Sequence, residues 1–428
     1  MADLIKDPER WANDGTGALS LRLARRKDEV GRLSRSEHHL LTSFHPNFVY
    51  PIFGQEETIY GYEDLDIQLV FNSSTLKNYL SINYTAKLPD DSPVKPDPIE
   101  ETLYKFIPPD YTKSEEAFNA GLESEATANF SPPGHKISSY RALPSKGKVK
   151  PVNFLNAQRW EKCKDAEAEA EHDVIYELWA ANWKTAGFRD YHRRMQVLVL
   201  FYIEGGSYIE EDDDRWEFVM LFERRTFTLS GNKHYSYHFC GYVSLYSFYH
   251  YPSSIRLRLS QFIILPPYQS IGHGSMLYCQ IFQYLLSRPE VAELTLEDPS
   301  EAFEDLRDRE DLKLLFENNV FDERELHQLV PVDREWYQAT KAKWKLADRQ
   351  FARLLEIALR RKFSSLKDPS SKLERLYRIA VKERLYRFNY DSLVNVPKEE
   401  RRERLQATFE NVMDDYDRLL RGDRRTIH

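Results

Sequence analysis

Between Leu257 and Arg309 the chain reads LRLSQFIILPPYQSIGHGSMLYCQIFQYLLSRPEVAELTLEDPSEAFEDLRDR, and few folds accommodate such a stretch. Leu257 and Leu259 alternate with polar residues, and the apolar run Phe262-Ile263-Ile264-Leu265 follows, the pattern of a buried strand. Pro266-Pro267 ends the ladder, because proline has no amide to donate. A loop comes next, Gln269-Ser270-Ile271-Gly272-His273-Gly274-Ser275. Leu277, Tyr278, Ile281, Phe282 and Leu285 then stand at helical spacing, and Arg288-Pro289 closes that helix. A second strand, Val291 to Leu296, runs into Glu297-Asp298-Pro299. The unit is therefore strand, glycine loop, helix, strand, with two carboxylates at the carboxyl end of the second strand.

Glycines at 272 and 274 let a backbone approach a ligand closely, and a helix that starts there aims free amides and a positive dipole end at an anion. Two common nucleotide motifs fail on detail. A dinucleotide fingerprint wants a third small residue where Leu277 stands, and a P-loop wants Lys then Ser or Thr where Ser275-Met276 stand. The spacing Gln-x-x-Gly-x-Gly instead resembles the acetyl-CoA loop of the GNAT acetyltransferase superfamily. Within it, Ser260-Gln261 through Ile264, Gly272-His273-Gly274-Ser275, Glu297-Asp298-Pro299-Ser300-Glu301-Ala302-Phe303 and Leu306-Arg307-Asp308-Arg309 resemble the catalytic subunit of type B histone acetyltransferases. Phe53-Gly54 with Gly61-Tyr62, Ile203-Glu204, Asp213-Asp214-Arg215-Trp216 and Val396-Pro397-Lys398-Glu399-Glu400-Arg401 extend the similarity over most of the chain. The resemblance implies an α+β fold of the GNAT type, a mixed central sheet flanked by helices.

The 428 residues suffice for two or three domains. We expect an N-terminal substrate- or partner-binding domain over 1–155, an acetyl-CoA-binding catalytic domain over 156–315 and a helical domain over 316–428. Leu65, Ile67, Leu69 and Phe71 alternate, as do Leu80, Ile82 and Tyr84, so the first region carries strands. The prolines at 89, 93, 96 and 98 mark a polar linker. The acidic run Ala166–Glu171, with Trp179 and Trp183 beyond it, reads as helix. Asp190 stands where it would cap another, in which Met195, Leu198 and Tyr202 share a face and which Gly205-Gly206 would end. Trp216 to Leu221 and Cys240 to Phe248 read as strands. Phe351, Leu354, Leu355 and Ala358 form one helical stripe, and Leu405, Phe409, Val412, Met413, Tyr416, Leu419 and Leu420 another.

A net charge of −8 argues against nonspecific nucleic-acid binding and suits a basic partner. Cys163, Cys240 and Cys279 are too far apart in sequence to suggest a disulfide framework or a zinc site. His234, His238 and Cys240 do not suggest a metal either, since strand positions four apart lie about 13 Å from each other. The opening MADLIKDPERW has no signal-peptide core and no apolar run approaches membrane length, so we expect an intracellular protein, in cytoplasm and nucleus. Arg25-Arg26-Lys27 and Arg401-Arg402 read as solvated helix faces, with import signals as the alternative.

Acetyl transfer to lysine makes two demands. An amine of pKa about 10.4 must be freed of its proton, at about 4–5 kcal/mol at neutral pH, and a carboxylate beside the cofactor is suited to accept it. The resemblance points to Glu297 as that base, with Asp298 adjacent and Glu204 as a further carboxylate near the acceptor lysine. Adjacent strand side chains face opposite ways, so Glu297 and Asp298 share one amine only if the strand has ended. Two carboxylates in one pocket would raise one pKa. The bland alternative is that each simply terminates an element at the surface.

The thioester must also be held and polarised. The resemblance assigns the backbone of Phe262, Ile263 and Ile264 to the pantetheine arm or carbonyl, if that strand is splayed from its neighbour. It assigns Gln269, Ser270, Ile271, Gly272, His273, Gly274 and Ser275 to the pyrophosphate, and Ser300, Phe303 and Arg309 to further cofactor contacts. At His273 the amide, rather than the imidazole, is expected to act. For the acceptor, Gln55-Glu56-Glu57 and Tyr246-Ser247-Phe248 match segments that meet a histone H4 tail, and Trp216 offers a surface for the lysine stem. The acidic run Glu210–Asp214 would add on-rate for a basic tail. The resemblance thus implies direct transfer from acetyl-CoA to newly made, soluble histone H4, free with its histone partner, without a metal or a covalent enzyme intermediate. It implies a WD-repeat histone chaperone as partner. A noncatalytic histone-binding scaffold, or an enzyme for small amines or protein amino termini, is the rival reading.

Overall fold

The computed structural model describes residues 8–142, 160–162, 174–229, 231–321, 331–364 and 371–422. It is an α+β chain with the GNAT acetyltransferase fold. Two compact units are distinguished. The first takes the described residues of Met1–Ala142, Trp160–Ser247 and Leu259–His273, and the second includes Phe248–Arg258 and Gly274–His428.

In the first unit, two short antiparallel pairs accompany a three-stranded sheet: β1 (Ala12–Asp14) with β3 (Thr58–Tyr60), and β4 (Tyr62–Glu63) with β7 (Ala86–Lys87). The sheet itself pairs β2 (Leu19–Ala24) in parallel with β5 (Asp66–Asn72), and β5 antiparallel with β6 (Asn78–Asn83). Of the expected alternation Ile67, Leu69 and Phe71 fall on β5 and Leu80 and Ile82 on β6, with Ile67 and Leu69 fully buried; Leu65 precedes β5, and Tyr84 follows β6 and is exposed. Helix α1 (Glu115–Leu122), capped by Ser114, sets Phe118 and Leu122 against Ala24 and Val70.

The larger sheet of this unit has the order β13-β12-β11-β10-β8-β9. Its strands are β8 (His135–Ala142), β9 (Trp160–Lys162), β10 (Val174–Asn182), β11 (Trp216–Leu229), β12 (Asn232–His250) and β13 (Ser254–Ile264). Opposite β11 the register shifts at Cys240, so that Leu221 faces Gly241 while Phe222 faces Phe239. That bulge lets β13 come close: a β-carbon at Gly241 would lie 2.1 Å from the Ile263 carbonyl oxygen.

Three readings need correction or limit. Trp179 lies on strand β10 and Trp183 in the turn after it, neither on a helix. Val174-Ile175-Tyr176 favour a strand, and burial on both faces hides the alternation. The helix expected around Asp190 is two: α2 (Phe188–Met195), which begins after Gly187 at φ +72°, and α3 (Val197–Tyr202). Asp190 sits within the first turn, next to Arg193, and is not the cap. The Ala166–Glu171 run, Cys163 and the boundary at 155–156 lie outside the described residues.

In the second unit the start of β13 neighbours β14 (Val291–Leu296). The Ile255 amide donates to the Glu290 carbonyl (2.8 Å) and the Thr295 hydroxyl to the Leu257 carbonyl (3.2 Å). Helix α4 (His273–Leu286) precedes β14 and α5 (Glu301–Glu317) follows it; α6 (Arg334–Lys343), α7 (Asp348–Ser364), α8 (Ser371–Phe388) and α9 (Lys398–Arg421) continue the unit. Helix α5 buries acid. Asp305, Asp308 and Asp311 repeat on one face and are each almost fully buried. Each has a partner, as buried charge requires. Arg418 forks Asp305 (2.7 and 2.8 Å), Arg353 bridges Asp308 (2.6 Å) to Asp415 (2.7 Å), and Tyr278 donates to Asp311 (2.8 Å). Burial raises the Asp311 carboxyl to about 6.

Candidate active site

The glycine loop begins in the first unit where β13 ends. Leu265 donates its amide to the Cys240 carbonyl (2.9 Å), so the bulge in β12 fixes the strand's exit. Pro266–Tyr268 form one tight turn. The Gln269 side chain then reaches back to the Ile264 carbonyl (2.7 Å), and Gln269, Ser270 and Ile271 are exposed residues. Ser270 (φ +63°) and Gly272 (φ +106°) are both left-handed. At Gly272 this gives the expected glycine a physical cause, because a β-carbon is strained there. Ser270 and Gly272, left-handed on either side of Ile271, lead into the first turn of α4, and irregular backbone before a helix start is suited to phosphate oxygens. His273 turns inward. Its ring is fully buried, lies 4.1 Å from that of Tyr176, and meets the Tyr140 hydroxyl through Nδ1 (2.9 Å). Burial lowers its pKa to about 4.

The paired carboxylates stand in the second unit. Strand β14 ends at Leu296, so Glu297 and Asp298 both lie beyond it, exposed, in a bend where Asp298 adopts φ +33°. The strict alternation that would aim them oppositely therefore no longer applies. Arg258 approaches Glu297 (3.3 Å) with its guanidinium 4.4 Å from the Phe248 ring centroid. Ser300 caps α5, its hydroxyl accepting from the Phe303 amide (3.3 Å), and the Phe303 ring lies edge-on to Tyr278 at 6.1 Å. Arg309 is half-buried on α5, and Gly274 and Ser275 lie in the first turn of α4. Glu204 belongs to the first unit, in the exposed turn after α3.

Among the acceptor-side residues the three of Gln55-Glu56-Glu57 have different surroundings. Gln55 and Glu56 are exposed. The Glu57 carboxylate instead accepts the backbone amides of Val49 and Tyr50, the latter at 2.9 Å, and so holds the helical turn Tyr50–Phe53. Trp216 and Tyr246 face each other across β11 and β12 with ring centroids 4.7 Å apart. The Tyr246 hydroxyl donates to Asp213 (2.9 Å), Arg215 lies 4.8 Å over the Tyr246 ring, and Ser247 donates its amide to the Arg215 carbonyl (3.1 Å). The acidic run is partly neutralised within the chain. Arg215 forks Asp213 (2.7 and 2.8 Å) and holds its carboxyl well below the usual range. Arg193 forks Glu211 (2.8 Å) and Lys184 meets Asp214 (3.0 Å); Glu210, Asp212 and Asp214 are the run's exposed acids.

A family model described as the histone acetyl transferase HAT1 N-terminus matches residues 11–204, and one described as the fungal HAT1 C-terminal region matches 308–364. A type B histone acetyltransferase catalytic subunit of Cryptococcus neoformans is 48% identical over 96% of this chain and 98% of its own length. Those of Mycosarcoma maydis and Candida albicans are 37% and 33% identical, each over 97% of this chain and 89% and 91% of their own lengths. The chain belongs to the type B histone acetyltransferase catalytic subunits. It is an acetyltransferase.

Sequence reasoning missed several groups around the acetyltransferase's loop and carboxylates. Arg25 is not on a solvated face. It is buried and grips Glu223 with both terminal nitrogens (2.9 and 3.0 Å). Arg225 also reaches Glu223, and bonds Glu37 (2.6 Å). Burial alone would raise the Glu223 carboxyl, but the Arg25 and Arg225 charges override it and keep it ionised. No local signal marks this cluster, since its members are 198 residues apart. Arg258 was missed for a simpler reason: an exposed arginine on a strand carries no motif.

Proposed function

We propose that this chain transfers the acetyl group of acetyl-CoA to lysine side chains of the N-terminal tail of free histone H4, with Glu297 taking the amine's proton. The carrying observation is the position of Glu297, exposed just past the end of β14 with Arg258 3.3 Å away. A carboxylate there can accept a proton and hand it to solvent. Asp298 stands next in line and Glu204 is the further candidate. The donor would be held by Gln269–Ser275 through backbone amides, by the Phe262–Ile264 backbone along its arm, and by Ser300, Phe303 and Arg309. Amine and thioester then react directly, the amine nitrogen forming the amide bond as the carbon–sulfur bond breaks and CoA leaves as thiolate. On the acceptor side Gln55, Glu56, Trp216, Tyr246, Ser247 and Phe248 would meet the tail. Glu57 supports this surface from behind. A WD-repeat histone chaperone as partner, and action in both cytoplasm and nucleus, complete the reading.

Mass spectrometry of an H4 tail peptide with a blocked amino terminus, incubated with enzyme and acetyl-CoA, tests acceptor and base together. Label should appear on lysine. Glu297→Gln keeps the shape but cannot take the proton, so kcat should fall by about 10²–10⁴ with little change in binding, and residual activity should climb with pH. A mutant with wild-type kcat and an unaltered pH profile, where chemistry limits turnover, moves the base elsewhere. Absence of lysine label with retained turnover of small amines would sink the H4 reading.

A further inference from the structure

In the first unit the loop has a buried anchor at each end. Tyr268, immediately before it, is 1% exposed, and His273, near its close, is fully buried. Between them Gln269, Ser270 and Ile271 are exposed. The Tyr268 hydroxyl accepts from Arg25 (2.9 Å) and donates to Glu223 (3.0 Å), so both its roles are committed. Glu223 is on β11, Arg25 follows β2, and Arg225 brings in Glu37; one hydroxyl thus ties the loop's first end to three distant segments. At the other end, the Tyr140 hydroxyl on β8 meets His273.

Stability alone gives little reason for this arrangement. Two arginines and a carboxylate withdrawn from water roughly cancel their own attraction, and apolar residues of similar volume often serve as well or better. Directional bonds do what apolar packing does not: they fix a position. A loop that must bring main-chain amides to phosphate oxygens needs its ends fixed within about 0.5 Å, and order present before binding is not lost on binding.

We propose that Tyr268, with Arg25 and Glu223 beneath it, and Tyr140 at the far end, are positioning residues that preset the Gln269–Ser275 loop for the acetyl donor. The inference rests on the reading that this loop holds acetyl-CoA. Neither tyrosine acts by touching the donor; Tyr268 acts through the backbone it anchors and Tyr140 through the His273 ring.

The test is acetyl-CoA binding by calorimetry on the full chain, beside peptide kinetics. Tyr268→Phe deletes one hydroxyl and keeps the ring. Its Kd for acetyl-CoA should rise about tenfold, the equivalent of one buried hydrogen bond, while peptide KM and kcat at saturating donor stay within about twofold. Tyr140→Phe should show the same split and serves if Tyr268→Phe does not fold. Tyr191→Phe is the control: its equally buried hydroxyl bonds the Ser74 carbonyl (3.1 Å) away from the loop, and its donor affinity should match wild type. Gly272→Val separates the two claims. If it abolishes donor binding while Tyr268→Phe and Tyr140→Phe bind normally, the loop reading stands and the positioning role is overturned. If Gly272→Val itself binds normally, the loop reading falls and this inference with it. Equal losses in Tyr268→Phe and Tyr191→Phe would mean general destabilisation and also overturn it.

Discussion

Glu56, proposed to meet the acceptor, is exposed, whereas its neighbour Glu57 is held by the fold. One of its oxygens collects the amides of Val49 and Tyr50, and its own carbonyl accepts from Gly15 (2.7 Å). A β-carbon at Gly15 would lie 2.8 Å from that carbonyl, so the segment has no room to settle if the side chain is lost. Hydrogen bonds to a charged group contribute about 1.5–3 kcal/mol each when desolvated. This carboxylate is only half-buried and water would recover part of that, so the range for losing a helix cap, about 0.5–2 kcal/mol, is the better guide. Two amides on one oxygen put Glu57→Ala at the top of it, about 2 kcal/mol. With about 2–4 °C per kcal/mol for a unit of this size, the midpoint of thermal unfolding should drop by about 4–8 °C. Glu57→Gln keeps an acceptor and should lose about half as much. Glu56 is exposed, and Glu56→Gln should melt within about 0.5 kcal/mol of wild type. Kinetics should divide the other way. Glu56→Gln should raise peptide KM at low salt and converge with wild type as ions screen exposed charge over about 10 Å at 0.1 M. Thermal melts with peptide KM at two ionic strengths decide it. A Glu57→Ala protein that melts with wild type while its peptide KM shows the stronger salt dependence would refute the assignment.

Two further outcomes follow from the larger sheet. Gly241→Ala would push its β-carbon against the Ile263 carbonyl, 2.1 Å away and rigid; unfolding midpoints should fall by an amount equivalent to about 1–3 kcal/mol, and acetyl-CoA Kd should rise because Ile263 moves. His192 is buried against Trp183, Phe188 and Phe218 with no hydrogen-bond partner on either ring nitrogen, and burial lowers its pKa to about 4. The unfolded chain then binds the proton first, so its contribution is complete above about pH 6.5 and is lost progressively as pH falls towards 4, by about 3 kcal/mol in all. His192→Phe should flatten that part of the stability profile in urea titrations; an unchanged profile would place the titration elsewhere.

Most of the loop was legible because its determinants are local. Paired prolines, a left-handed Gly272 and the apolar stripe of α4 need no distant partner to be read. Strand β14 ended at the residue expected for the same reason. What escaped was tertiary. Strand β10 is buried on both faces, so its sequence lacks the alternation that identified β5. The helix around Asp190 split because Gln196 closes α2 and opens α3. Arg25 reads like a surface basic cluster until Glu223, far along the chain, is brought beneath it. The acidic run before Trp216 looked like a field of five charges, yet Arg193, Arg215 and Lys184 hold three of them. Formal charge in a sequence states which ions are present, not which face outward.

The same economy recurs within each unit. The glycine loop and the bend that carries Glu297 are irregular backbone, which apolar contacts alone position poorly, since a hydrophobic core tolerates repacking. In the first unit Tyr268 sits directly before the loop and is fixed by Arg25 and Glu223. In the second, Arg307 on α5 donates to the Leu294 carbonyl (3.1 Å), three residues before the proposed base, and lies 3.5 Å from Asp311, which Tyr278 and Gln350 also hold. Sliding α5 along β14 by one residue would break a buried charge-assisted bond and strand a guanidinium, a penalty of about 3–5 kcal/mol. Buried ions therefore serve as register marks beside the working segments, which explains why the helix carrying Ser300, Phe303 and Arg309 invests three buried aspartates on its inward face.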